Sequence, residues 1–165
     1  MARFRFFILS LIFVSAQSLQ CGFAQDSTRW ELPKDARARF GKGWTSGNVA
    51  YSPDGSRLAV ASRIGIWLYD AATGAEVDLL AAHTHPVFAI AFSPDSSMLA
   101  DAYFDTIRLW DTHSGELQQT LEAHPGVVEC VAFSPDGTTF ASGGRGWDAT
   151  IHLWDTRSGI NVLTR

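Results

Sequence analysis

The chain has 165 residues, 46% hydrophobic and 18% charged, with 13 Lys+Arg against 17 Asp+Glu for a net charge of −4. That composition suits one ordinary folded domain and excludes an intrinsically disordered chain, and the absence of a Lys/Arg run removes the electrostatic footprint of sequence-independent nucleic-acid binding. Two cysteines, Cys21 and Cys130, allow neither a disulfide-dense scaffold nor a four-thiolate zinc site, and the 14 Gly and 6 Pro punctuate runs too short for a helical bundle.

Arg3 and Arg5 precede an uncharged apolar stretch from Phe6 to Val14, followed by small and polar residues. This is the layout of a secretory signal peptide, residues 1–24, with cleavage expected after Ala24, and after Ala16 as second choice. An uncleaved signal that tethers the chain to a membrane is the alternative. Gln20 and Ser18 do not fit a lipid-attachment site at Cys21, and Arg3-Phe4-Arg5 is not a twin-arginine pair. Removal of the signal leaves 11 basic against 17 acidic residues, an acidic exported protein with a net charge of −6. Residues 25–42 form a mildly basic lead-in. Its Arg37-Ala38-Arg39-Phe40 alternation suits either an outer strand of the first repeat or an exposed linker.

From residue 43 onward the chain repeats. Tyr51-Ser52-Pro53-Asp54, Phe92-Ser93-Pro94-Asp95 and Phe133-Ser134-Pro135-Asp136 recur at one constant spacing. Leu68-Tyr69-Asp70, Leu109-Trp110-Asp111 and Leu153-Trp154-Asp155 keep step, as do Thr73-Gly74, Ser114-Gly115 and Ser158-Gly159. Pro suits the first corner of a turn, Asp bonds back to its own backbone, and Gly55 or Gly137 accepts the exit, so Ser-Pro-Asp-Gly predicts a hairpin turn. Short alternating runs on either side predict four strands per repeat, over about 43–83, 84–124 and 125–165.

Together these motifs resemble the WD-repeat β-propellers, named for the pair that Trp110-Asp111 and Trp154-Asp155 reproduce. The resemblance implies an all-β fold, a partial, open β-propeller of about three four-stranded antiparallel blades. It also implies a structural hydrogen-bond network that locks each blade. In the third repeat the matching positions are His124, Ser142, Asp148 and Trp154; the second keeps His83 and Trp110 but has Asp101 at the hydroxyl position, which puts its network in doubt. The first has Val60 and Tyr69 at the matching positions and is expected to hold by apolar packing alone. Three repeats do not close a ring of typically four to eight blades. The expectation is therefore the front part of a longer protein, or one member of a ring of several chains, with self-association through the open blade faces.

No catalytic residue is assigned. His124, Ser142 and Asp148 resemble a nucleophile, base and orienting acid, but they fill the locking network and no Gly-x-Ser-x-Gly turn presents the hydroxyl. His83 and His85 could share a strand face, yet His113 and His152 belong to the far end of the repeat, so no metal site and no cofactor is expected. Cys130, on an inner strand, reads as an inert buried thiol. What remains is a surface. In the family, loops at one end of the blades commonly bind proteins or peptides; here they carry Trp44, His85, Phe104, Arg145 and Trp147, the candidate partner-binding surface. The expectation is an exported, periplasmic or secreted, non-catalytic module for binding proteins or peptides. The alternative is the N-terminal propeller of a larger exported hydrolase, peptidase or sensor.

Overall fold

A computed structural model describes residues 45–81, 85–146 and 149–165 of the chain. The expected signal peptide, the lead-in, Trp44, His83, Trp147 and Asp148 lie outside the described residues. Twelve strands are described, and they form three antiparallel meanders of four. The first sheet runs β1 (Thr45–Tyr51), β2 (Arg57–Ser62), β3 (Ile66–Asp70), β4 (Glu76–Leu80). The second runs β5 (Ala89–Phe92), β6 (Met98–Tyr103), β7 (Thr106–Asp111), β8 (Leu117–Glu122). The third runs β9 (Val128–Phe133), β10 (Thr139–Gly144), β11 (Ile151–Asp155), β12 (Asn161–Thr164). Each sheet falls within one sequence repeat. The described edge of the first sheet on its outer side is β4.

The sheets stack through one repeated interface. Ala59, Ala61, Ile66, Leu68 and Leu80 of the first sheet pack against Val87, Phe92, Leu99 and Trp110 around the second. One repeat later, Ala100, Ala102, Ile107 and Leu109 meet Val128, Phe140 and Trp154 of the third. In both, small alanines on the second strand leave room for the aromatic rings of the following sheet, the large-against-small fit that close packing requires. Most of these residues are fully buried, each large aliphatic or Phe side chain contributing roughly 1.5–3 kcal/mol.

One end of the three sheets is built from six turns, two per sheet. Ser52 donates its hydroxyl to Asp54 at 2.6 Å, Asp54 accepts the Ser56 N–H at 3.0 Å, and the Arg57 N–H reaches back to the Ser52 hydroxyl at 2.8 Å. Ser93 with Asp95 and Ser134 with Asp136 repeat the Ser–Asp bond at 2.6 Å. The third corner has positive φ at Gly55 (72°) and Gly137 (70°), but also at Ser96 (64°). The serine bears that strain while tying two blades together, its hydroxyl accepting the Asp54 N–H at 3.1 Å. The Ser52 and Ser56 hydroxyls and the Ser56 N–H hold the Asp54 carboxyl at a pKa of about 2. Local donors also lower Asp70, Asp95, Asp111, Asp136 and Asp155, led by Thr73 and Ser93 hydroxyls, the Ser114 N–H, the Ser134 hydroxyl and the Ser158 N–H respectively.

Candidate functional site

The interior of the blades accounts for most of the motif residues. In the third sheet, Phe140 faces Trp154 and Ser142 faces His152 across β10 and β11. The Trp154 indole N–H donates to the Ser142 hydroxyl at 2.9 Å, and that hydroxyl is 2.8 Å from His124 Nε2. His124 stacks on His152 with ring centroids 4.1 Å apart, and Thr150 Oγ1 lies 3.5 Å from its Nδ1. Trp154, Ser142 and His124 thus form one buried donor–acceptor chain. Ser142 accepts one proton and has its hydroxyl turned toward an imidazole inside the sheet, where no substrate carbonyl can approach. This geometry is that of a structural tie.

The second sheet solves the same problem differently. Trp110 donates its indole N–H to the Asp101 carboxylate, and Asp101 is fully buried. The substitution at the hydroxyl position therefore keeps the tie to the tryptophan instead of breaking it. In the first sheet Val60 and Tyr69 are buried together with Leu58, and Trp67 packs against them.

The other end of the sheets is irregular, and a cleft opens there between the second and third blades. His85, Tyr103, Phe104, Asp105, Pro125 and Val127 line a volume of about 400 Å³. Of the five residues expected to form a surface, the structure brings His85 and Phe104 into edge-on contact at 4.7 Å, and adds Phe88, 5.9 Å from Phe104. Phe88 and Phe104 are both exposed, and Phe104 has a positive φ of 48°. A bulky residue pays about 1–2 kcal/mol for that left-handed conformation. The surroundings impose it. The Phe104 carbonyl accepts the Val128 N–H at 2.6 Å, and the Asp105 carbonyl accepts the N–H groups of Ala123 and His124 at 2.8 and 3.2 Å. The tight turn is thereby stitched to the strand entering the next blade, and the ring of Phe104 is held out over the cleft.

Arg145 sits at the rim. Its N–H donates to the Val127 carbonyl at 2.8 Å, and its guanidinium lies 3.5 Å from Glu129, both side chains being well exposed. Such an exposed pair contributes little to stability. Tyr103, Asp105 and Phe88 were missed from sequence. The usable signal was a Phe-Asp pair in a tight turn where glycine is usual. Tyr103 is itself braced by Arg108, whose guanidinium donates to its hydroxyl at 2.8 Å and lies over its ring at 4.4 Å. Cys130 requires a correction. It is exposed, not buried, because it projects from β9 onto the face of the third sheet that no further sheet covers among the described residues. Among the described residues, no group of His, Cys, Asp and Glu is placed to hold a metal.

A family model for the WD domain, G-beta repeat, matches residues 74–111 and 115–155. No curated protein matches the sequence. Among solved structures, the chain is similar to the WD40 repeats of RRP9 (20% identity, TM-score 0.70, 76% of this chain and 39% of that one). It is likewise similar to U3-55K (20% identity, TM-score 0.71, 76% of this chain and 40% of that one). The chain spans about two fifths of the length of each.

Proposed function

This chain belongs to the WD-repeat β-propeller family, and on that premise we propose that it is an exported, non-catalytic module whose irregular end binds a protein or peptide in the cleft beneath Phe104. The fold is that of a protein-interaction module. The observation that carries the assignment to this end is Phe104 itself. An exposed aromatic ring kept in a costly backbone conformation, edge-on to His85 over a cleft of about 400 Å³, is poor design for stability and good design for an anchor. Burial of Ser142 and His124 in the blade supports the absence of hydrolytic chemistry from those residues. Arg3, Arg5 and the apolar run after them support export.

A photo-cross-linking benzophenone side chain at position 104, compared with one at the exposed Ile160 of the opposite end, tests the reading in cells. Discrete protein adducts are expected from 104, and their loss on His85→Ala. Identical products from both positions would refute the site, and an intact N-terminus on protein confined to the cytoplasm would refute export.

A further inference from the structure

The cleft beneath Phe104 is walled by rings and holds one carboxylate. His85 and Phe104 meet edge-on at 4.7 Å, Phe88 extends the same surface 5.9 Å from Phe104, and Tyr103 lies on the wall. Among the described residues of the lining, Asp105 is the one acid, and none is Lys or Arg. Asp105 is fixed through both its backbone and its side chain. Its carbonyl accepts the N–H groups of Ala123 and His124, and its Oδ1 accepts the hydroxyl of Thr106 at 2.9 Å. Thr106 is itself buried and on the wall, so the carboxylate is held at the cleft. No hydrogen bond or ion pair among the described residues engages Oδ2, and Arg145 at the rim is turned to Glu129.

These groups decide what kind of side chain can enter. An aliphatic or aromatic anchor would strip water from the Asp105 carboxylate and leave the charge unpaired. An anion would meet that carboxylate and the negative faces of the rings. A cation is attracted by both. Of the two basic side chains, arginine suits the wall better. Its planar guanidinium can lie on a ring while an edge donates to an oxygen, whereas the lysine ammonium is a compact, strongly hydrated charge. The second blade already contains such a contact, since Arg108 lies over the Tyr103 ring at 4.4 Å and donates to its hydroxyl at 2.8 Å. At about 400 Å³ the cleft has the size of a small-ligand pocket, and the exposed ring of Phe88 beside it offers a surface for a flanking residue.

Resting on the reading that a protein or peptide docks in this cleft, we propose that the partner presents an arginine to it. The guanidinium pairs with Asp105, the stem runs along His85 and Phe104, and a neighbouring residue of the partner covers Phe88.

The test selects random peptides of about twelve residues, displayed on phage, against the purified chain and measures synthetic copies by fluorescence anisotropy. Peptides weakened at least about tenfold by Phe104→Gly report the cleft, and a recurring arginine is expected among them. Exchanging that arginine for alanine in the peptide weakens binding at least about tenfold, and for lysine about threefold or more. Asp105→Asn in the chain weakens the arginine peptide about three- to tenfold and leaves its alanine version within about twofold. Glu129→Gln leaves both within about twofold, and unchanged far-ultraviolet circular dichroism reports that the variants fold. Peptides that need Phe104 but are anchored by an aliphatic, aromatic or acidic residue, or bind as well with lysine, overturn the arginine assignment and leave the cleft reading standing. Indifference to Asp105→Asn does the same, as does an equal loss from Glu129→Gln, which marks attraction by net charge. Peptides indifferent to Phe104→Gly, or a library that yields no binder, overturn both.

Discussion

Replacing Ser142 by alanine isolates the tie inside the third blade. The side chain is 1% exposed, and alanine fills nearly the same space, so the substitution opens no cavity of consequence. What it removes is the acceptor of the Trp154 indole N–H and the partner of His124 Nε2, at 2.9 and 2.8 Å. Each polar group left unpaired in the interior costs about 1–3 kcal/mol, and together about 2–6 kcal/mol is expected. For a domain of this size that lowers Tm by about 8–24 °C, readable by urea denaturation and thermal melting. Trp154→Phe deletes the donor but leaves Ser142 bonded to His124, so the double variant, lacking the orphaned N–H, is less destabilised than the sum by about 1 kcal/mol. A loss below about 0.5 kcal/mol for Ser142→Ala, or strict additivity of the pair, would refute the reasoning.

At Phe104 the expected order of stability inverts the usual one. Phe104→Gly relieves the left-handed strain, about 1 kcal/mol, while losing ring contacts with His85 and Phe88 of similar worth, and leaves Tm nearly unchanged. Phe104→Ala loses the contacts and keeps the strain, so it melts lower than glycine by several degrees; the reverse order by calorimetry would remove strain from the argument. The six turn aspartates set the acid limb of stability. Their carboxyls are lowered in the folded state, Asp54 to about 2, from an ordinary value of 3.8, so between these pH values the native state binds fewer protons than the unfolded chain. The stability they contribute is therefore present above about pH 4 and lost as pH falls toward 2. Asp54→Asn is expected to flatten that limb in urea titrations at pH 2–4 relative to pH 7, and an unchanged slope would contradict the Ser52 and Ser56 bonds as its source.

The sheets were legible in sequence because their information is local and repeated. Ser-Pro-Asp turns and Leu-Trp-Asp endings each impose a register within a few residues, and a constant spacing shows that every copy serves the same neighbour contact. The Asp101 substitution was harder to read, because whether a carboxylate can replace a hydroxyl depends on where the Trp110 indole points, which is a property of the pair. Cys130 was misjudged for a related reason. Its strand is an inner one, and inner strands of the first two sheets are covered; burial of one sheet face is decided by the sheet beside it, and no residue of β9 encodes that. Phe104 could be named as a surface residue, but not as a strained one, since its φ is dictated by carbonyls bonded to Ala123 and His124 in the connection that follows β8 and to Val128 at the start of the next blade.

The division of labour between the two ends of the sheets follows from these bonds. At the aspartate end, each turn aspartate accepts from donors within a few residues, so the turn's shape is set largely locally and varies little between repeats. At the opposite end the first sheet turns through Gly65, where an added Cβ would run into the Leu80 carbonyl, whereas the second turns through Phe104 and Asp105. There the Phe104 turn is closed by a bond to Val128 at the start of the neighbouring blade, while Arg145 is bonded to Val127 within its own blade, and each can take a different side chain without disturbing the sheet behind it. Chemical variety on this scaffold can accumulate at that end alone at little cost to folding, which is why an anchor such as Phe104 belongs there.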